Sequence, residues 1–256
     1  MKQLRAFMNK EFMECIRSGK MLILLILFVL FGMMNPAIAK LTPWMMEMMS
    51  DRMGSTGLAV TAVEVNALTS WTQFYKNIPL LLIIFLLLFS GILTTEYQKG
   101  TLINMITKGM KRWKIIASKE MVMLLCWTAG YWLCYGITYG YTDFFWDNSV
   151  LTKIWFPALC LYLLGVWLIT VILLLSTIFR SSSSVLVMAL GIFAVVYLLG
   201  LLPALSSYMP VRLMESTGLL TGIEGADQYL TAIIAVLLLS LGNTVASIIC
   251  FNRSEI

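Results

Sequence analysis

Long charge-free runs alternate with short polar ones along this chain. Six windows carry no Lys, Arg, Asp or Glu and are almost wholly apolar: 21–39, 78–95, 121–142, 154–179, 185–203 and 229–251. Each approaches the roughly 20 residues that a helix needs to cross the hydrocarbon core of a bilayer. They predict six transmembrane helices. The first window is read as a retained span: it is long for a signal peptide, follows a charged leader, and is followed by further spans.

The polar pieces have patterns of their own. In the leader MKQLRAFMNKEFMECIRSGK, Leu4, Phe7, Met8, Phe12, Cys15 and Ile16 recur at helical spacing, with most basic residues on the other face. This predicts an interfacial helix over 2–17, lying parallel to the membrane. Glu11 interrupts the apolar arc, so a protein contact is expected there. In the 40–77 loop, Val60, Val63, Ala67, Trp71 and Phe74 predict a short amphipathic helix, with Trp71, Phe74 and Tyr75 as aromatic anchors at the membrane surface. The Met-rich stretch beside it, PWMMEMMSDRM, suits membrane-surface packing or an adaptable contact surface.

Trp127, Tyr131, Tyr135 and Tyr139 fall four residues apart, which puts one aromatic stripe on the third span. Helix packing is the default role of such a stripe, and lining a path for an apolar substrate is the alternative. FRSSSSVLV makes a tight turn whose serines are placed to cap the fifth span. Segment 204–228 is too polar and too broken by Gly and Pro to cross. Its apolar pieces predict a re-entrant segment before the last span.

Composition agrees with a lipid solvent. The 256 residues are 60% hydrophobic and 12% charged, where soluble domains carry about 25% charged residues. There is no histidine, and none of the five cysteines forms a CxxC pair, so a zinc, haem or di-iron centre is not expected. Six spans put both termini on one side. That side then holds thirteen of the eighteen basic residues, and Lys40, Arg52, Lys76, Lys153 and Arg212 remain opposite. The bias makes the termini cytoplasmic.

The stretch Glu96–Glu120 holds six of those basic residues between two apolar spans. Within it, Gly100 and Gly109 bracket a short helix that Thr101 can cap, with Leu102, Met105 and Ile106 on one face. Such a face cannot be buried in water and points to headgroups or a groove on another protein. Lys108, Lys111, Arg112 and Lys114 are expected to seat the loop on the anionic inner leaflet.

KEFMECIRSGK before the first span and TTEYQKGTLINMITKGMKRWKIIASKE after the second resemble the membrane subunit of type-2 ABC exporters. The resemblance covers the whole architecture and is nearest to small six-span exporters of bacitracin, lantibiotics and phenol-soluble modulins. It implies an all-α integral membrane protein: an elbow helix at the N-terminus, six spans, a cytoplasmic coupling helix and an extracellular re-entrant segment. It further implies ATPase coupling through Glu96, Tyr97, Gly100, Thr101, Leu102, Ile103, Met105 and Ile106, with Glu11 as an elbow-helix contact.

The implied partners are two copies of a cytoplasmic ATPase, a second permease chain (identical or a sister), membrane lipids and an amphipathic peptide substrate, with no nucleic acid. The chain has no GxxxxGK[ST] loop, so it is expected to bind no cofactor, with ATP and Mg held by the partner. The setting implied is a bacterial plasma membrane. Spans free of charge argue against proton-coupled transport. The alternatives are a passive channel or scaffold, or export of a lipid or drug. An intramembrane enzyme would need His or acids at depth.

Overall fold

The computed structural model describes residues 2–53, 65–107, 109–151, 153–215 and 217–253, and no strand occurs among them. In chain order the helices are α1 (Lys2–Arg17), α2 (Lys20–Met53), α3 (Ala67–Phe89), α4 (Thr94–Gln98), α5 (Thr101–Thr107), α6 (Arg112–Phe145), α7 (Trp155–Ile178), α8 (Ser182–Gly200), α9 (Thr217–Leu220) and α10 (Asp227–Arg253). Six are long and apolar enough to cross a membrane: α2, α3 with its continuation to Gln98, α6, α7, α8 and α10. Each coincides with one of the apolar windows. The protein is therefore an all-α, multi-pass membrane protein.

Burial sorts these helices into a centre and a rim. In α7, 72% of the most apolar window is buried, against 11% in α8 and 17% in α10. A helix that is apolar all round must lie inside a bundle or face lipid. Sequence hydropathy cannot separate a covered helix from an uncovered one, and here α7 lies inside the bundle while α8 and α10 leave most of their surface open at its rim. α7 packs against α10, α6, α8 and α3, while α2 packs along α6 and α3.

Polar side chains inside the bundle are paired, as a low-dielectric interior demands. Asn77 Nδ2 donates to Asn35 Oδ1 at 2.7 Å, Asn35 Nδ2 donates to Thr138 Oγ1 at 3.2 Å, and Thr138 Oγ1 donates to the Gly32 carbonyl at 3.0 Å. This chain of bonds ties α2, α3 and α6 together. At the end of the bundle away from the termini, the Ser70 and Thr142 hydroxyls lie 2.7 Å apart, and Trp71 Nε1 donates to Asn148 Oδ1 at 3.0 Å.

Two expectations change here, and the aromatic stripe takes its default role. Trp71, Phe74 and Tyr75 are not surface anchors: they are buried in α3, one helix that begins at Ala67 and runs on as the span. The amphipathic pattern there is the core face of a long span. Val60, Val63 and the side chains of residues 49–53 in the Met-rich stretch lie outside the described residues, while Trp44, Met45 and Met48 are exposed on the end of α2. The aromatic stripe of α6 is packing. Trp127 and Tyr131 are fully buried, Tyr135 nearly so, and only Tyr139 is exposed. Phe28, Phe74, Phe85 and Tyr162 meet these rings. The serine turn does not cap as expected, since Ser181 at the N-cap of α8 makes no side-chain cap bond.

Segment 204–228 folds onto the adjacent ends of α7, α8 and α10 through two 3₁₀ turns, Ser206–Tyr208 and Pro210–Met214, and the short α9. Val211, Leu213, Leu219 and Leu220 are buried. Arg212 bridges Glu215 and Glu224 and lies 5.1 Å from the Tyr229 ring.

Candidate functional site

The end of the bundle that holds both termini carries the chain's densest group of buried charge among the described residues. It is built from three distant pieces of sequence. α1 brings Lys10, Glu11 and Glu14, α4 brings Glu96, and the first turns of α6 bring Lys119. Lys119 is 1% exposed. Its Nζ lies 2.9 Å from Glu11 Oε2 and 2.8 Å from Glu96 Oε2, and donates to the Ile92 carbonyl at 2.9 Å. The Glu96 contact lacks hydrogen-bond alignment, so it acts as a charge contact.

Lys10 completes the network from its outer side. Its Nζ reaches Glu11 Oε1 at 3.0 Å, Glu14 Oε2 at 2.8 Å and Glu96 Oε1 at 2.7 Å. Burial works to lower the Lys10 pKa, but hydrogen bonds to Glu14 and Glu96 outweigh it and hold the value above its ordinary 10.5. The Phe7 ring faces both lysines, at 5.3 Å from Lys10 Nζ and 5.9 Å from Lys119 Nζ. The carboxylates of Glu11, Glu14 and Glu96 approach within 4.8 Å of one another, a spacing that suits a divalent cation. Two lysine ammonium groups stand among them, so the fold supplies its own countercharge.

Glu11 therefore faces Lys119 of its own chain. The protein contact expected at Glu11 is met within the chain by this internal pair. A carboxylate on an otherwise apolar arc needed a partner, and the partner came from 108 residues away. The α1 face that carries Phe7, Glu11 and Cys15 is buried against α6 and α2.

α4 is the hub of this end. Glu96 holds α1 and α6, the Thr94 Oγ1 and Ser182 Oγ hydroxyls meet at 2.7 Å, Gln98 Nε2 donates to the Arg180 carbonyl at 3.2 Å, and Tyr97 packs edge-on against Phe251 of α10. Gly100 then turns the chain with φ +66°, and Gly109 ends the next segment with φ +81°. These left-handed conformations suit glycine and confine α5 to seven residues. Thr101 does not cap α5; its hydroxyl donates back to the Glu96 carbonyl at 3.4 Å.

The face of α5 differs from the one expected. Leu102 is fully buried in the chain's own core, and Met105 and Ile106 are half-buried against it. Ile103, Asn104 and Thr107 face out. Ile103 is 47% exposed, and Trp113 nearby in sequence is 43% exposed. The basic residues are also more committed than expected. Arg112 donates to the Phe251 and Asn252 carbonyls at 3.0 and 3.1 Å, which satisfies the open end of α10, and Lys114 donates to Gln3 at 2.7 Å. Lys108 lies outside the described residues.

The chain is a bundle of six helices of membrane-spanning length, with a clamped N-terminal helix and a short, partly exposed helix at the end that holds the termini. A family model for ABC-2 family transporter proteins matches residues 5–213, and the chain belongs to that family. It is the transmembrane subunit of an ABC transporter, and membership implies a cytoplasmic ABC ATPase as partner. No curated protein matches the chain.

Proposed function

We propose that the chain is one permease half of an ATP-driven exporter, which moves a hydrophobic or amphipathic substrate, a membrane-active peptide by preference, out of a bacterial cell. The family supports the ATPase partner. The observation that carries the coupling reading is the placement of α5. It is held on the termini side between two glycine turns, seated through Leu102 and presented outward through Ile103.

In this reading the termini are cytoplasmic, α1 lies along the inner leaflet, and 204–228 re-enters the outer leaflet. Two ATPase subunits bind ATP and Mg and dock on α5 and its flanks. Ile103 and Trp113, with exposed Lys99 and Lys111 beside them, fit an apolar groove with an acidic rim. The packed α6 stripe leaves the substrate path to the interface with a second permease chain, which two-fold pairing would provide. ATP drives the change only by binding one arrangement better than the other.

The test is co-purification of the tagged chain with its ATPase from membranes. Ile103→Asp should leave insertion and yield unchanged and remove the ATPase. If the ATPase stays with that variant in wild-type amounts, docking through α5 is refuted. If the wild-type chain brings down no ATPase, a passive channel or scaffold is the better account.

A further inference from the structure

Between α3 and α4 the chain leaves regular helix at residues 90–93. Besides the ring contact of Tyr97 with Phe251 of α10, α4 is held to its neighbours by two unlike sets of contacts. Towards α1 and α6 the contacts are ionic and buried, through Glu96, Lys119, Glu11 and Lys10. Towards the turn between α7 and α8 they are the neutral contacts of Thr94 with Ser182 and of Gln98 with the Arg180 carbonyl, together with the Arg180 guanidinium 5.8 Å from the Tyr97 ring. Gly91 lies in the same seam. A Cβ there would stand 3.1 Å from Ser182 Oγ and 3.0 Å from Thr95 Oγ1, so the α8 start sits close against a position without a side chain.

The two sets differ in what happens when they part. Separating the ionic set would strand a carboxylate or ammonium group away from water. Separating Thr94 from Ser182 strands no charge, because both groups are neutral hydroxyls and Ser182 is only half-buried.

We propose that the seam of Gly91 and Thr94 against Ser182 is the slip plane of the transport stroke. α1, α4 and the start of α6 turn together as one clamped body, and the α7–α8 turn moves against it. The proposal rests on the ATP-driven permease reading. It adds where the bundle yields.

The test uses the chain with its co-purified ATPase in lipid discs, with all five native cysteines replaced and paired spin labels introduced. One pair, at Lys99 and Ser183, spans the seam. The other, at Met13 and Met121, lies within the clamped body. All four positions are exposed and outside the ionic network. Distances are measured nucleotide-free and after trapping with ATP, Mg and vanadate. The seam pair should shift by at least about 3 Å, the rise of two helical residues. The Met13–Met121 pair should stay within about half of that. A seam distance that is the same in both states overturns the proposal, and so does an equal shift of both pairs. Absence of an ATPase from the preparation is a separate result, which sinks the permease reading itself and this proposal with it.

Discussion

Replacing Lys119 with methionine puts the buried network under its sharpest test. The substitution keeps the length of the side chain and removes its charge. Glu11, Glu14 and Glu96 would then share Lys10 alone. Two of those carboxylates are nearly enclosed, at 6% and 7% side-chain exposure for Glu11 and Glu96. Removing one partner of a buried pair costs about 3–5 kcal/mol, because the stranded charge keeps its desolvation penalty. For a chain of this size about 1 kcal/mol moves the melting temperature by roughly 2–4 °C, so Lys119→Met should lower it by about 6–20 °C. The protein carries its own reporter. Cys15, Cys126, Cys134 and Cys160 are free and buried, and a thiol-reactive dye records their exposure on heating in detergent. Adding Glu11→Gln removes the charge that Lys119 had faced, and the double variant should recover most of the loss. If Lys119→Met melts within about 2 °C of wild type, equivalent to less than roughly 1 kcal/mol, the network does not hold this end together. Strictly additive losses in the double variant would equally refute the coupling between the two residues.

The remaining predictions use the same dye assay. Gly165→Ala places a Cβ 2.4 Å from Trp127, whose ring is fully enclosed, so it should destabilise by about 1–3 kcal/mol or more through overpacking. Gly136→Ala, where a Cβ meets nothing within 4 Å, should be neutral or gain up to about 1 kcal/mol from helix propensity. Equal effects at the two glycines would contradict the packing described. Lys10 has a raised pKa in the folded chain, so its contribution is fully present below 10.5 and is lost only as pH rises through the higher folded value. The melting difference between wild type and Lys10→Met should therefore be flat from neutral pH to about pH 10 and shrink above that; a difference that vanishes by about pH 8 would contradict the assignment.

The sequence by itself determined the solvent and the count. Charge-free runs of about 20 residues can be stable only as spans, so six helices, the leader helix over 2–17 and the glycine-bounded α5 were all legible. Those features depend on neighbours in sequence: period, length and the backbone freedom of Gly100 and Gly109. What the sequence withheld is which side of each element is covered. In lipid, apolar residues suit the interior and the outer surface alike, so periodicity alone does not separate core from rim. Periodicity therefore points Trp71 and Leu102 outward, and the structure turns both inward. The buried network was withheld for a related reason. Glu96 and Lys119 stand in a charged stretch that reads as exposed, Glu11 interrupts an apolar arc without showing its partner, and no local pattern relates the three. Only tertiary structure brings three carboxylates and two ammonium groups within ion-pair distance, and only that proximity makes their burial affordable.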